Sequence, residues 1–210
     1  MGGSAGFFQS ACKAQETEAM TPPPEPRLDH IPFDNVKVTV TVAADPATAF
    51  AVFTEQTDLW WRRGPKFRVS GREPGLVSFE LGMNGRLMET METPTGIRVA
   101  LMGHITAWEP PRRFAFEWRG AKFAETDATT VEVLFETAGA GKTRVTVNDR
   151  GWATLRPDHP VRHGAEGPAF IRRTGLWWGE LLTSLRERMA AWLRPRPQTS
   201  AQSSFAGNHF

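Results

Sequence analysis

Residues 108–119 read WEPPRRFAFEWR, and the fold turns on what this stretch is. Phe114, Phe116 and Trp118 take alternate positions, with Ala115, Glu117 and Arg119 between them. In an extended chain successive side chains point to opposite faces, so one face is aromatic and the other mostly polar. The pair Pro110-Pro111 ends the preceding strand, because proline has no N–H to give a ladder and fixes its own φ. The stretch reads as a hairpin corner followed by a strand with one dry face.

Working outward, the same grammar repeats on both sides. GIRVALMGHITAWE at 96–109 alternates Ile97, Val99 and Leu101, then Ile105, and supplies the antiparallel partner. Before it, GLVSFELG and GRLMETME flank a Met83-Asn84-Gly85 turn. After it come TTVEVLFET, the turn AGAGK and TRVTVND. The first strand is VKVTVTVA at 36–43, followed by Asp45-Pro46, a helix cap with proline at the first helical position. That helix, PATAFAVFTE, places Phe50 and Phe53 on one face, and a short helical piece TDLWW follows. At 170–194, Ile171, Thr174, Trp178, Leu181, Leu185, Met189 and Trp192 recur at three- and four-residue steps, a long amphipathic helix. The expected fold is α+β: a curved antiparallel sheet of about six to seven strands around that C-terminal helix, with one or two short helices after the first strand.

One domain is expected over 34–193, between disordered tails at 1–33 and 194–210 that are rich in proline and polar residues. A net charge of +2, from 25 basic and 23 acidic residues, lacks the basic excess that binds a nucleic-acid backbone. The single cysteine, Cys12, excludes an internal disulfide and a multi-cysteine zinc site. No apolar run is long enough for a membrane span, and MGGSAGFFQSACK lacks a secretory n-region and h-region, so a cytoplasmic protein is expected. No phosphate loop, nucleophile elbow or dinucleotide fingerprint is present, and no cofactor is expected. His159 and His163 are four apart in DHPVRH, but Pro160 breaks the helix they would need and no third ligand is evident, so no metal is assigned. That segment reads as the loop before the last helix, where a cavity entrance would lie.

The segments WW at 60–61, ELGMNGRLMET at 80–90, MGHITAWEPPRRFAFEWR at 102–119 and VNDRGW at 147–152, with Trp177-Trp178 in the last helix, resemble the START-like helix-grip (SRPBCC) superfamily. Within it they are similar to the heat shock protein 90 ATPase activator homologue branch. The resemblance implies a sheet gripping the C-terminal helix with a cavity between them, often shaped for an apolar small molecule. It implies no single activity, since the superfamily hosts carriers, cyclases, receptors and chaperone cofactors. Relatives often carry an aromatic residue at the position of Met102, arginine at His104 and histidine at Asp149, so a cavity here would have changed polarity.

Candidate ligand-binding residues follow from pattern and resemblance together. Trp60, Trp61, Phe79, Phe116, Trp118, Trp152 and Trp178 are the aromatic wall. The row Phe114, Phe116, Trp118 reads as core first and ligand contact second. Gly175 and Gly179 lie on one helical stripe and read either as close packing on the sheet or as pocket space. Arg86 and Glu89 face opposite sides of their strand, so one of them points inward. His104 is a candidate polar contact. Asp149 continues the phase of Val145 and Val147, so its carboxylate points inward and needs a partner; Arg86, Arg119 or Arg150 could supply one. The functional expectation is non-catalytic binding of an apolar or aromatic molecule. The alternatives are a chaperone-directed interaction module and an acid–base enzyme using Asp149, His104 or Glu89.

Overall fold

The computed structural model describes residues 1–2, 34–71, 75–120 and 122–192. The tails expected over 1–33 and 194–210, Cys12 included, lie outside the described residues apart from Met1 and Gly2. Seven strands form one antiparallel sheet: β1 (Asn35–Val42), β2 (Gly75–Phe79), β3 (Arg86–Thr93), β4 (Gly96–Glu109), β5 (Arg113–Trp118), β6 (Thr129–Thr137) and β7 (Thr143–Arg150). Their order across the sheet is β1-β7-β6-β5-β4-β3-β2, so β1 crosses from its neighbour in sequence to pair with β7 at the edge. The remaining neighbours are consecutive hairpins. The sheet curls into a half-barrel around a long final helix, α3 (Gly167–Trp192), with α1 (Pro46–Glu55) and α2 (Thr57–Trp60) following β1.

Local chemistry accounts for these elements. Asp45 caps α1, its carboxylate accepting from the Thr48 amide at 3.0 Å and the Thr48 hydroxyl at 2.7 Å, with Pro46 pre-set for the first turn. Alternation sets the strands: Val131, Val133 and Phe135 of β6 are buried while Thr130, Glu132 and Leu134 between them are more open. Between β4 and its two partners the register slips, at Leu87/Met88 on one side and Ile105/Ala107 on the other. Gly103 sits between the slips, where β5 approaches so closely that a Cβ would lie 1.8 Å from the Glu117 carbonyl oxygen. Replacing Gly103 with Ala is therefore expected to cost about 1–3 kcal/mol, the range of an overpacked interior, read from the urea midpoint.

The aromatic row of β5 answers to two different surroundings. Phe114 meets Phe50 and Phe53 of α1 edge-on at 5.7 and 5.5 Å, and Phe116 meets Phe79 of β2 at 5.3 Å. Both are fully buried, each contributing roughly 1.5–3 kcal/mol of apolar burial. Trp118, at the strand's end, faces α3 and the loop after α2. On α3 the buried residues are Phe170, Trp178, Leu181, Leu182, Leu185 and Met189. The apolar stripe stops there: Trp192, expected on it, is 50% exposed at the helix end. No helix among the described residues is long and apolar enough to cross a membrane.

Candidate functional site

The first wall of the site is the irregular loop between α2 and β2. Its sequence, RRGPKFRVSG at 62–71, is held by two buried charged groups rather than by regular structure. Arg68 donates to the carbonyls of Trp61 at 2.7 Å, Arg62 at 3.0 Å and Gly75 at 3.0 Å, and to the Asp58 carboxylate at 2.7 Å. Glu89, fully buried on β3, accepts from the amides of Val69 at 2.8 Å and Ser70 at 3.1 Å and from the Ser70 hydroxyl. Gly75 makes room for that carboxylate, since a Cβ there would lie 2.3 Å from Glu89 Oε1. The loop then packs on α3: Trp177 Nε1 donates to the Lys66 carbonyl at 2.9 Å, Phe67 stacks on Trp177, and Lys66 pairs with Glu180.

Between this loop, the end of β5, the segment after β7 and the first turns of α3 lies a cavity of about 350 Å³. At about 30 Å³ per water, that is room for roughly ten water molecules, and it falls in the size range of small-molecule sites. Phe67, Trp118, Trp152, Phe170 and Trp177 give it aromatic walls. Asp149 reaches it from β7, and Lys66, Lys122, His163 and Arg173 stand among its lining residues. A smaller hollow of about 270 Å³, with Arg98 and Arg119, shares Val69 and Gly120 with it.

Asp149 is the most unusual group in the site. It is 2% exposed, and one oxygen, Oδ2, accepts from Trp178 Nε1 at 2.9 Å. The other, Oδ1, makes no hydrogen bond, and neither do two further buried polar atoms, Thr129 Oγ1 and Trp152 Nε1. Thr129 and Trp152 are near enough to favour the anion electrostatically, yet neither meets hydrogen-bond geometry. Burial outweighs these contributions and, with the Asp34 carboxylate nearby, raises the Asp149 carboxyl from 3.8 to about 7. None of the three arginines considered for it serves it: Arg86 pairs with Glu80, Arg119 with Glu117 and Arg150 with Glu132. In place of the ion pair considered for Asp149 stands a buried carboxyl raised toward neutrality, with the Trp178 indole as its hydrogen-bond donor.

The residues singled out from sequence divide clearly. Trp118, Asp149 and Trp152 line the cavity. Trp61 and Trp178 stand directly behind it, Trp61 stacked on Trp118 at 5.8 Å and Trp178 bonded to Asp149. Trp60, Phe79 and Phe116 belong to the solid core and do not line it. Arg86 lies away from the cavity: it is exposed and bonded to Glu80, and the inward member of its pair is Glu89. His104, half-buried on β4 opposite Arg86, is not among the lining residues. Gly175 and Gly179 do not line the cavity either. A Cβ on Gly175 would touch Val36 at 3.7 Å, close helix–sheet packing, while one on Gly179 would meet nothing within 4 Å. Of Asp149, His104 and Glu89, weighed as an acid–base set, only Asp149 lines the cavity, and Glu89 is taken up by loop amides.

Lys122, Phe170 and Arg173 line the cavity without being singled out from the sequence. Lys122 stands in a polar stretch with no period, whereas Thr129 shares the inward phase of Val131, Val133 and Phe135 along TTVEVLFET. Phe170, Arg173, Thr174 and Trp177, however, recur at three- and four-residue steps on α3, and that second stripe marks the cavity side of the helix. His159, considered as a metal ligand, has both ring nitrogens engaged: Nε2 donates to Asp127 at 3.0 Å and Nδ1 accepts from the Val161 amide at 3.2 Å.

Comparison with known proteins adds to this geometry. Residues 43–190 match the family profile described as Activator of Hsp90 ATPase homolog 1-like protein. Among solved structures, the chain is similar to PFC0360w, an HSP90 activator from Plasmodium falciparum, at 18% identity over 75% of this chain and 96% of that one, with a TM-score of 0.51. It is also similar to protein Ms6760 from Mycobacterium smegmatis, at 20% identity over 80% and 94% of the two chains, with a TM-score of 0.50. At these identities the likeness is one of fold. Among curated proteins none matches.

Proposed function

This chain belongs to the family of Activator of Hsp90 ATPase homolog 1-like proteins, and from that premise we propose that it binds a small molecule with an apolar or aromatic body between its sheet and last helix. The observation that carries this is the 350 Å³ cavity with aromatic walls and a buried, partly unsatisfied acid facing it. Removing apolar surface from water supplies the affinity, and Asp149 with Trp152 fixes orientation.

Thr174 provides the test. It is half-buried on the cavity side of α3, and a phenyl ring there occupies the space without removing a core residue. The uncharged probe N-phenyl-1-naphthylamine should bind the wild type with quenching of tryptophan fluorescence. Thr174→Phe should weaken that binding by about tenfold or more, equivalent to about 1.4 kcal/mol, with little change in thermal midpoint. Equal binding by both proteins would remove the cavity from consideration.

A second reading, action on a chaperone ATPase, is favoured by the family and by an exposed apolar row. Leu76 of β2 and Ile97, Val99 and Leu101 of β4 lie on one face of the sheet and are each at least 46% exposed. Adding the protein to an Hsp90 should raise its ATP turnover if this reading holds; an unchanged rate ends it.

A further inference from the structure

The cavity mouth carries a charge pattern that an uncharged ligand would not need. Lys122 Nζ lies 3.2 and 3.1 Å from the two ring nitrogens of His163, and can donate only to the one without a proton. His163 itself sits at φ 47°, an uncommon conformation for a residue other than glycine, on the segment leading into α3. Arg173, one turn into α3, has its guanidinium turned to the carbonyls of Arg162 at 2.7 Å and Val161 at 3.1 Å. Lys122 and Arg173 together hold His163 below its ordinary pKa, the mark of cations crowded onto one ring.

The contrast with the other side of the mouth is informative. Lys66 is neutralised by Glu180 and Arg68 by Asp58. Among the described residues, neither Lys122 nor Arg173 has a carboxylate within ion-pair distance. Three nitrogen groups thus converge without an acid, at the rim of a cavity whose walls are aromatic and whose buried acid is set back from them.

We propose that the molecule taken by this cavity is an aromatic anion, with its oxyanion held at the mouth by Lys122, His163 and Arg173 and its rings lying among Trp118, Trp152 and Trp177. This rests on the ligand-binding reading above and narrows it to a charge class. An arriving oxyanion supplies what the three nitrogens lack, and it accepts hydrogen bonds from Lys122 and from His163 once that ring is protonated. The acid on β7 stays clear of the charged head because the head remains at the rim.

A matched pair of probes separates this inference from the reading beneath it: N-phenyl-1-naphthylamine and its sulfonated counterpart, 8-anilinonaphthalene-1-sulfonate. They share their rings and differ by one oxyanion. The sulfonate should bind the wild type about tenfold more tightly than the amine, and that advantage should shrink as salt rises. Lys122→Ala, a change at an exposed residue of the rim, should lower the sulfonate's affinity several-fold more than the amine's and so remove most of the advantage. Thr174→Phe should weaken both probes. Equal affinity for the two, unchanged in Lys122→Ala, would overturn the anion inference and leave the cavity reading intact. Binding of neither would overturn both.

Discussion

Arg68→Ala is expected to destabilise the protein by about 3–5 kcal/mol, the cost of removing one partner from a buried ion pair. The Arg68 side chain is 2% exposed and makes four hydrogen bonds, three to backbone carbonyls and one to Asp58. Truncation leaves the Asp58 carboxylate with less compensation and three carbonyls short of a donor. Arg63 provides an internal control, because it pairs with the same aspartate at 2.7 Å but is 60% exposed. Exposed pairs contribute about 0–1 kcal/mol, so Arg63→Ala should shift the urea midpoint little. The functional consequence follows from position: Arg68 and Val69 both line the cavity, and a loop released from its clamp no longer holds Phe67 against Trp177. Probe binding should therefore fall in Arg68→Ala even under conditions where the protein remains folded. Equal midpoints for the two variants would show that the loop is held by its packing on α3 rather than by the buried guanidinium.

The same loop shows where sequence reasoning loses its grip. Alternation along β5, β6 and β7, the Asp45-Pro46 cap and the period of α3 are local patterns, and each led to its element. The inward turn of Asp149 came from phase alone, by counting from Val145 and Val147. RRGPKFRVSG offers no such count. Its basic residues look like a solvated surface, yet Arg68 is buried because its partners are main-chain carbonyls that no side-chain pattern announces. Arg86 and Glu89 mark a middle case. Parity established that they face apart, but which one faced inward depended on Gly75, in the neighbouring strand, leaving space for the carboxylate. Gly175 and Gly179 left close packing and pocket space as alternatives for the helix surface near Trp178. The space lies instead beside the first turns of the helix, along Phe170, Arg173, Thr174 and Trp177. A cavity is what remains after several elements have packed, so its position is a property of their assembly and not of any one segment.

Replacing Asp149 with asparagine should raise stability at pH 8 and leave it nearly unchanged at pH 4. The groups facing Asp149 are Trp178 from α3, Thr129 from β6, Trp152 after β7 and Asp34 ahead of β1, and none is a cation. Its carboxyl is raised from 3.8 to about 7, so between those values the folded protein keeps a proton that the unfolded chain has released. Stability consequently falls as pH rises through this window; the favourable contribution is whole below about pH 4 and gone above about pH 7. A shift of about three units corresponds to on the order of 4 kcal/mol, at 1.36 kcal/mol per unit. Asparagine has nearly the same shape, can still accept from Trp178, and has no proton to lose. Its thermal midpoint at pH 8 should then exceed the wild type's by on the order of 10 °C, narrowing to a few degrees at pH 5. His163, with its pKa lowered, contributes in the opposite sense over part of this range, because its folded form releases a proton early. That contribution is common to both proteins and cancels in their difference. Parallel pH profiles for wild type and Asp149→Asn would mean that the carboxylate remains charged in the fold, and the cavity would then present an anion where a neutral hydrogen-bonding group is required here.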